Sequence, residues 1–251
     1  MEVSLLGPLE VSFGNVRLNV PGQKLRSLLA VFALTPSITI SRDQLIDELW
    51  PQDPPKDAVN SLQVHILRLR QLIAMYAGHR AARELLVTTS SGYCLSIPDD
   101  SIDAICFTEL LSRAQRLKRQ DAKESRDLFV TALSLWRGPA LLDIGDGMTC
   151  RIAAVRLEEA RLVAQEELFD VQLDLALYAE VVPELEQFTA RYPLRERFTE
   201  QLMVALYRCG RQVDAVDVYQ RTRQRLISEL GLEPSESIRS RFQEILRQVV
   251  Y

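Results

Sequence analysis

The chain has 251 residues, 47% of them hydrophobic, and 30 Lys/Arg against 34 Asp/Glu give a formal charge of −4. That is enough for one large or two ordinary domains with packed cores, and the acidity excludes a histone-like basic coat. Residues 1–97 hold nine Lys/Arg and eight Asp/Glu, so the acidic excess lies in the rest of the chain.

The N-terminus alternates and then breaks at Gly7-Pro8, unlike a signal peptide, and no apolar run approaches the length of a membrane span. A cytoplasmic protein is expected. Cys94, Cys106, Cys150 and Cys209 form no CxxC pair, and only His65 and His79 accompany them. Zinc-finger spacing is absent, and the thiols read as scattered buried groups in a reducing compartment. No metal or cofactor is expected.

In chain order, residues 2–20 contain short alternating segments around Gly7-Pro8 and Gly14-Asn15, which predict strands of a small antiparallel sheet. A helix follows over about 23–34 with Leu25, Leu28, Leu29 and Phe32 inward. Ile38–Ile40 reads as a brief strand. Ser41 is an N-cap with Gln44 completing a capping box, and that helix stops near Trp50 because Pro51 follows. Pro54-Pro55 fixes an extended approach to a helix from about Asp57 to Met75. Two β-prone runs, Leu85–Thr89 and Tyr93–Ile97, flank Ser90-Ser91-Gly92 and predict a hairpin. A sheet, three helices and a terminal hairpin describe a winged helix-turn-helix over residues 1–97.

Residues 98–101 form the expected linker. Beyond them the pattern predicts helices near 104–118, 121–136, 151–176, 179–191, 195–208, 212–229 and 235–249, punctuated by Gly138-Pro139, Pro193, Gly210 and Gly231. Ala176, Val181 and Leu185 recur 34 residues later as Gly210, Ala215 and Tyr219, the period of a tetratricopeptide unit. The predicted fold class is therefore α+β, mostly α: a winged helix-turn-helix followed by an all-α, tetratricopeptide-like domain over 102–251. An ordinary helical bundle is the competing reading of that second part.

On a helical wheel, Val59, Leu62, Ile66, Leu69 and Ile73 of the 57–75 helix share a core face. Asn60, Val64, Leu67 and Gln71 lie opposite, flanked by Gln63 and Arg68. A helix in the major groove reads bases with outward side chains: Asn and Gln on adenine, Arg on guanine, apolar groups on the thymine methyl. Asn60, Gln63, Val64 and Arg68 suit the base-reading role, and Ser61 and Leu67 join them as candidate DNA-binding residues. Lys24, Arg26, Arg42, Lys56 and Arg70 are candidate phosphate contacts, which position without reading sequence. His65 and Trp50 stand near the edge of this surface. A solvated helix face is the plain alternative, and the outward apolar Val64 and Leu67 argue against it.

No phosphate loop, HExxH, GxSxG or Gly-rich dinucleotide turn occurs, so no enzyme is expected. Asp143 and Asp146 among Gly145 and Gly147 lack the calcium-loop order and read as a surface turn. Glu158-Glu159 and Glu166-Glu167 read as solvated helix faces.

The ordered segments LLGPLEV, SRDQLIDELWPQDPP, NSLQVHILRLRQLI, SSGYCLSI, LWRGPAL, RLEEARL, YPLRERFTEQLMVALYRCGRQVDA and ELGLEP together resemble the Streptomyces antibiotic regulatory protein family along essentially the whole chain, in its short form. The N-terminal part is similar to the OmpR/PhoB-type winged helix, the later part to the bacterial transcriptional activator domain. The resemblance implies an activator of a secondary-metabolite (antibiotic) gene cluster. Such a protein binds promoter direct repeats as side-by-side protomers, a homodimer on DNA, and recruits RNA polymerase holoenzyme. It also implies that Arg68 and Arg70 match the basic pair of the recognition helix, that His65 and Trp50 match backbone-approaching positions, and that Tyr93 matches the aromatic residue after the wing glycine. Thr89 and Ser90 occupy the wing, Thr89 where an Arg is expected. Val59 and Leu67 also depart from the family's polar or charged residues. Two other readings compete: a ligand-sensing regulator whose helical domain binds a pathway intermediate, and a scaffold whose winged helix binds protein.

Overall fold

The computed structural model describes residues 1–248. The polypeptide divides into two compact units, residues 1–112 with 131–162, and residues 113–130 with 163 onward.

The first unit opens with β1 (Glu2–Ser4), β2 (Glu10–Phe13) and β3 (Val16–Leu18), an antiparallel sheet in that order with Val3 opposite Val11 and Val11 opposite Leu18. Alternation puts Val3, Val11 and Leu18 inward. Helix α1 (Gln23–Leu34) is buried almost all round, from Leu25 through Ala33 apart from Arg26. β4 (Ile40–Ser41) leads into α2 (Arg42–Leu49), where Ser41 and Gln44 form the expected capping box: Gln44 N donates to Ser41 Oγ at 3.2 Å and Ser41 N to Gln44 Oε1 at 3.1 Å. Asp57 then caps α3 (Ala58–Ala77) by accepting from Asn60 N at 3.0 Å.

Gly78, at φ 85°, breaks the chain into a further helix, α4 (His79–Leu85), which the periodicity did not indicate. The hairpin of β5 (Leu86–Thr88) and β6 (Gly92–Leu95) follows, and β6 also pairs with β4 in the order β4-β6-β5. Gly92 is required there, because a Cβ would collide with the Ile40 carbonyl across the strand pair. These elements make the expected winged helix-turn-helix.

A 3₁₀ turn (Asp99–Ser101) precedes α5 (Asp103–Leu117), α6 (Ala122–Ser134) and α7 (Met148–Asp174). The segment from Arg137 to Cys150 packs into the first unit. Asp103 accepts Leu5 N at 2.6 Å and Leu6 N at 3.1 Å, while Arg137 N and Leu141 N donate to the carbonyls of Leu6 and Leu5. Asp143 accepts Leu9 N at 2.7 Å, Gly145 N donates to Ser27 Oγ at 3.1 Å, and Glu48 accepts Thr149 N and Cys150 N at 2.8 and 3.0 Å. The expected surface turn at 143–147 is thus corrected in part: Asp143 and Gly145 bond to Leu9 and Ser27, while Asp146 is exposed. Trp136 meets Phe107 edge to face at 5.4 Å, with the Arg161 guanidinium over the Trp136 ring at 4.7 Å.

The second unit continues with α8 (Tyr178–Arg191), α9 (Glu196–Arg208), α10 (Gln212–Leu230) and α11 (Glu236–Arg247). Successive helices α8, α9 and α10 pack on one another, and α11 returns onto α9 and α10. The 34-residue period reappears as hydrogen bonding. Ala176 (φ 59°) and Gly210 (φ 75°) both turn left-handed. Leu177 N donates to Gln172 O at 3.0 Å, and Arg211 N to Leu206 O at 2.9 Å. Val181, Leu185, Ala215 and Tyr219 are buried behind these turns. Phe169, Phe188, Tyr192 and Phe198 form an aromatic cluster, and Tyr219 stacks on Phe242 at 3.9 Å.

The acidic pair Glu166-Glu167 is also corrected: Glu166 holds Arg195 at 2.5 Å and Glu167 holds Lys118 at 2.6 Å. Glu158 likewise accepts Ala140 N at 2.7 Å. Asp170 is the centre of a polar network with Arg197, Gln201 and Lys118; burial opposes its ionisation, but those bonds and charges hold its carboxyl below the ordinary value. Of the cysteines, Cys94 and Cys150 are buried as expected, whereas Cys209 is exposed, and all four are free thiols.

Candidate nucleic-acid interface

Helix α3 owes its orientation to the face it buries. Leu62, Ile66, Leu69, Leu72 and Ile73 are inward, and Tyr76 stacks on Phe13 of β2 at 6.2 Å. Val59, expected in the core, is 45% exposed. It sits in the first turn, after a loop that is itself mostly exposed from Pro51 to Asp57 and offers nothing to cover it.

The outward surface of α3 carries Val59, Asn60, Gln63, Val64, Leu67 and Arg68, all exposed, with Gln71 one turn on. Asn60, Gln63, Val64, Leu67 and Arg68 are therefore brought together as the wheel predicted. Ser61 is half-buried and its Oγ donates to the Asp57 carbonyl at 2.8 Å, so it completes the cap and turns away from the reading face. No Asp or Glu occurs between residues 58 and 77. From α3 through the hairpin the charges are Arg68, Arg70, Arg80 and Arg83 against Glu84, so this face is more basic than the near-neutral total of residues 1–97.

Beside α3, the end of α2 gathers a small aromatic and basic cluster. Lys24 donates to the Leu49 carbonyl, the last of α2, and lies over the Trp50 ring at 5.4 Å. The Trp50 and His65 rings are 5.8 Å apart. Burial, then the charges of Arg68 and Lys24, lower the His65 pKa below its ordinary 6.5, so His65 is neutral at pH 7. Its Nδ1 is buried without a protein partner. Arg42 begins α2, half-buried, with its Nε unpartnered; Lys56 is exposed in the loop before α3.

Three of the expected contact residues have partners or burial within the protein. Arg26 donates to the Val20 carbonyl at 3.0 Å and is ion-paired with Asp143, which fixes the start of α1. Arg70 donates twice to the Leu86 carbonyl, at 3.0 and 2.7 Å, and to Thr88 Oγ1 at 2.6 Å. It straps α3 to the hairpin through Nε and Nη2. Tyr93 is only 5% exposed, paired in register with Ile40 and Thr88, and belongs to the sheet core. At the wing tip Thr89 Oγ1 accepts Gly92 N at 3.1 Å, leaving Ser90 exposed. Val59 and Gln71 are the surface residues that the sequence reading left out of the site; their four-residue spacings from Gln63 and Leu67 were the available signal.

Among the described residues no cluster of His, Cys, Asp or Glu can hold a metal, and no helix is long and apolar enough to cross a membrane.

The family model described as the bacterial transcriptional activator domain matches residues 102–246, and that described as transcriptional regulatory protein, C terminal, matches residues 20–95. The transcriptional regulator RedD of Streptomyces coelicolor is 39% identical over 248 residues, 99% of this chain and 71% of that protein. The regulatory protein DnrI of Streptomyces peucetius is 34% identical over 251 residues, 98% of this chain and 92% of that protein. The solved structure of Mycobacterium tuberculosis EmbR in complex with a low affinity phosphopeptide matches with a TM-score of 0.94 at 29% identity, covering 100% of this chain and 66% of that one. With an OmpR/PhoB-type winged helix ahead of a bacterial transcriptional activator domain, the chain belongs to the Streptomyces antibiotic regulatory protein family of transcriptional regulators.

Proposed function

We propose that this regulator is a sequence-specific DNA-binding activator of a secondary-metabolite gene cluster, acting in the cytoplasm by binding and not by catalysis. Its promoter site is a direct repeat, occupied by two protomers side by side, and its helical domain recruits RNA polymerase holoenzyme. The observation that carries this reading is the outward face of α3: amides, apolar groups and one arginine, with no acidic side chain, on the second helix of a winged helix-turn-helix. Base-reading side chains in that place, flanked by Lys24, Arg42 and Lys56, are the parts a major-groove reader needs. Names of relatives such as RedD and DnrI, both regulators, support the same direction.

The test is a salt series on the full chain with DNA from its own gene neighbourhood. Affinity falls with salt by about 0.9 in log–log slope for each phosphate neutralised. With Lys56 exposed, Arg42 half-buried and Lys24 at the Trp50 edge as the phosphate candidates, the expected slope is roughly −2 to −3 per protomer. A slope near zero removes the DNA reading. Arg68→Ala is expected to weaken and relax the promoter footprint, and an unchanged footprint removes Arg68 from recognition.

A further inference from the structure

The surface of α3 is composed unlike a general phosphate binder, and its composition limits which bases it can read. Val59, Val64 and Leu67 are 45%, 39% and 56% exposed, three apolar side chains on a face otherwise made of Asn60, Gln63 and Arg68. In the major groove an aliphatic side chain has one good partner, the C5-methyl of thymine. Asn and Gln pair two-pronged with adenine, Arg or Lys with guanine, and Asp or Glu accept from cytosine. Helix α3 contains no Asp or Glu, and its second basic residue in this stretch, Arg70, is tied to Leu86 and Thr88. Arg68 is then the single outward cation that α3 offers a guanine. Val64 and Leu67 are three residues apart, about 4.5 Å along the helix axis. That is comparable with the base step of about 3.4 Å, so the two can meet neighbouring bases.

Resting on the DNA-binding reading above, we infer that α3 reads an A·T-weighted half-site containing one guanine. Val64 and Leu67 pack on adjacent thymine methyls, Asn60 and Gln63 pair with adenines, and Arg68 pairs with the guanine. Removing a thymine methyl therefore weakens binding, although it changes no hydrogen bond and no charge.

The experiment selects duplexes from a random pool with the full chain. Thymines of the best half-site are then replaced one at a time by deoxyuridine, which deletes only the methyl. Enriched half-sites are expected to be A·T-weighted with one indispensable guanine. Deoxyuridine at one or two positions is expected to weaken binding roughly 4-fold each, the size expected for one buried methyl-sized group. Leu67→Ser and Val64→Ser change exposed positions, and circular dichroism checks that both fold. Each is expected to abolish the deoxyuridine effect at its own position, binding the two duplexes equally. A selected half-site dominated by G·C pairs overturns the inference. So does an affinity unmoved by every deoxyuridine, or a deoxyuridine effect that persists in both variants. A chain that enriches no duplex at all overturns the inference together with the reading beneath it.

Discussion

Replacing Glu48 by Ala removes the acceptor that closes the start of α7. Glu48 belongs to α2, yet its carboxylate accepts from Thr149 N and Cys150 N, at the second and third positions of α7, and the residue is 6% exposed. Gly147 holds the N-cap place, since its carbonyl accepts from Arg151 N, but it has no side chain to cap with. Nor is there room for one, because a Cβ on Gly147 would collide with the Glu48 carboxylate. Hydrogen bonds to an ionised group are each worth roughly 1.5–3 kcal/mol, and a carboxylate at a helix N-terminus adds up to about 1. Allowing for partial rehydration of the freed N–H groups, Glu48→Ala is expected to cost about 3–5 kcal/mol. Glu48→Gln keeps one acceptor but turns an NH₂ toward the other donor, and about 2 kcal/mol is expected. Both tryptophans of the chain, Trp50 and Trp136, lie in this compact unit, so tryptophan fluorescence in urea follows its unfolding. With a denaturant slope near 2 kcal/mol/M, the Ala variant's midpoint drops by roughly 2 M. A midpoint within about 0.3 M of the wild type refutes the argument. Gly147→Ala is expected to be destabilising in the wild type and only partly relieved in the Glu48→Ala background, because its Cβ also meets the Glu48 backbone carbonyl at 2.7 Å, a contact the Ala variant keeps.

Three other outcomes follow from the same structure. Ala176 holds a left-handed backbone that Gly210 holds at the equivalent turn, so Ala176→Gly is expected to stabilise by up to about 1 kcal/mol and Gly210→Ala to destabilise by a similar amount; thermal unfolding followed by circular dichroism checks both signs. His65 has a folded pKa below its unfolded value, so the unfolded chain takes up the proton first. Stability is whole above the ordinary 6.5 and is lost as pH falls through it toward the folded pKa. Urea midpoints at about pH 5.5 and about pH 7.5 should converge in His65→Gln relative to the wild type. A fragment ending at residue 97 loses the partners of all four backbone polar groups of Leu5 and Leu6 and strands the Glu48 carboxylate. At about 1 kcal/mol per hydrogen bond and roughly 3 for the stranded charge, the loss is comparable with the whole stability of a typical domain. Trp50 fluorescence should therefore report unfolding at much lower urea than in the full chain, and an equal midpoint would show that residues 1–97 are self-sufficient.

The helices were legible because each carries its own period and stops. The seven helices expected after residue 101 appear with ends shifted by a few residues, the end expected at 249 lying outside the described residues, and the 34-residue period survives as matching hydrogen bonds at Ala176 and Gly210. Periodicity gives a face but not what covers it. Val59 shares a wheel face with Leu62 and Ile66, yet in the first turn of α3 it is exposed while they are buried. The loop at 137–150 has the Gly, Pro and Asp content of a surface turn, and its partners, Leu5, Leu6, Leu9, Ser27 and Glu48, lie about a hundred residues or more away in sequence. No local pattern marks such pairings. Helix α4 was hidden because Gly78 divides a helical stretch where the expected event was a passage straight into strand.

The same distinction governs the recognition surface. The family resemblance matches Arg68 and Arg70 to a basic pair, but α3 turns about 100° per residue, so residues two apart point to different sides. Arg68 faces outward, whereas Arg70 faces the hairpin and spends its donors on Leu86 and Thr88. The apparent doubling of charge on α3 is thus one outward cation and one strap. The strap makes the hairpin's position depend on α3, and under the proposed function it leaves more of the discrimination to Asn60, Gln63 and the apolar side chains. A single α3 with one outward arginine has a small electrostatic share of affinity, and each thymine methyl adds only about as much as one buried methylene. Under the proposed function, two such helices on one DNA link the direct repeat to the A·T-weighted half-site: weak reading of each half-site is compensated by the effective concentration of the second.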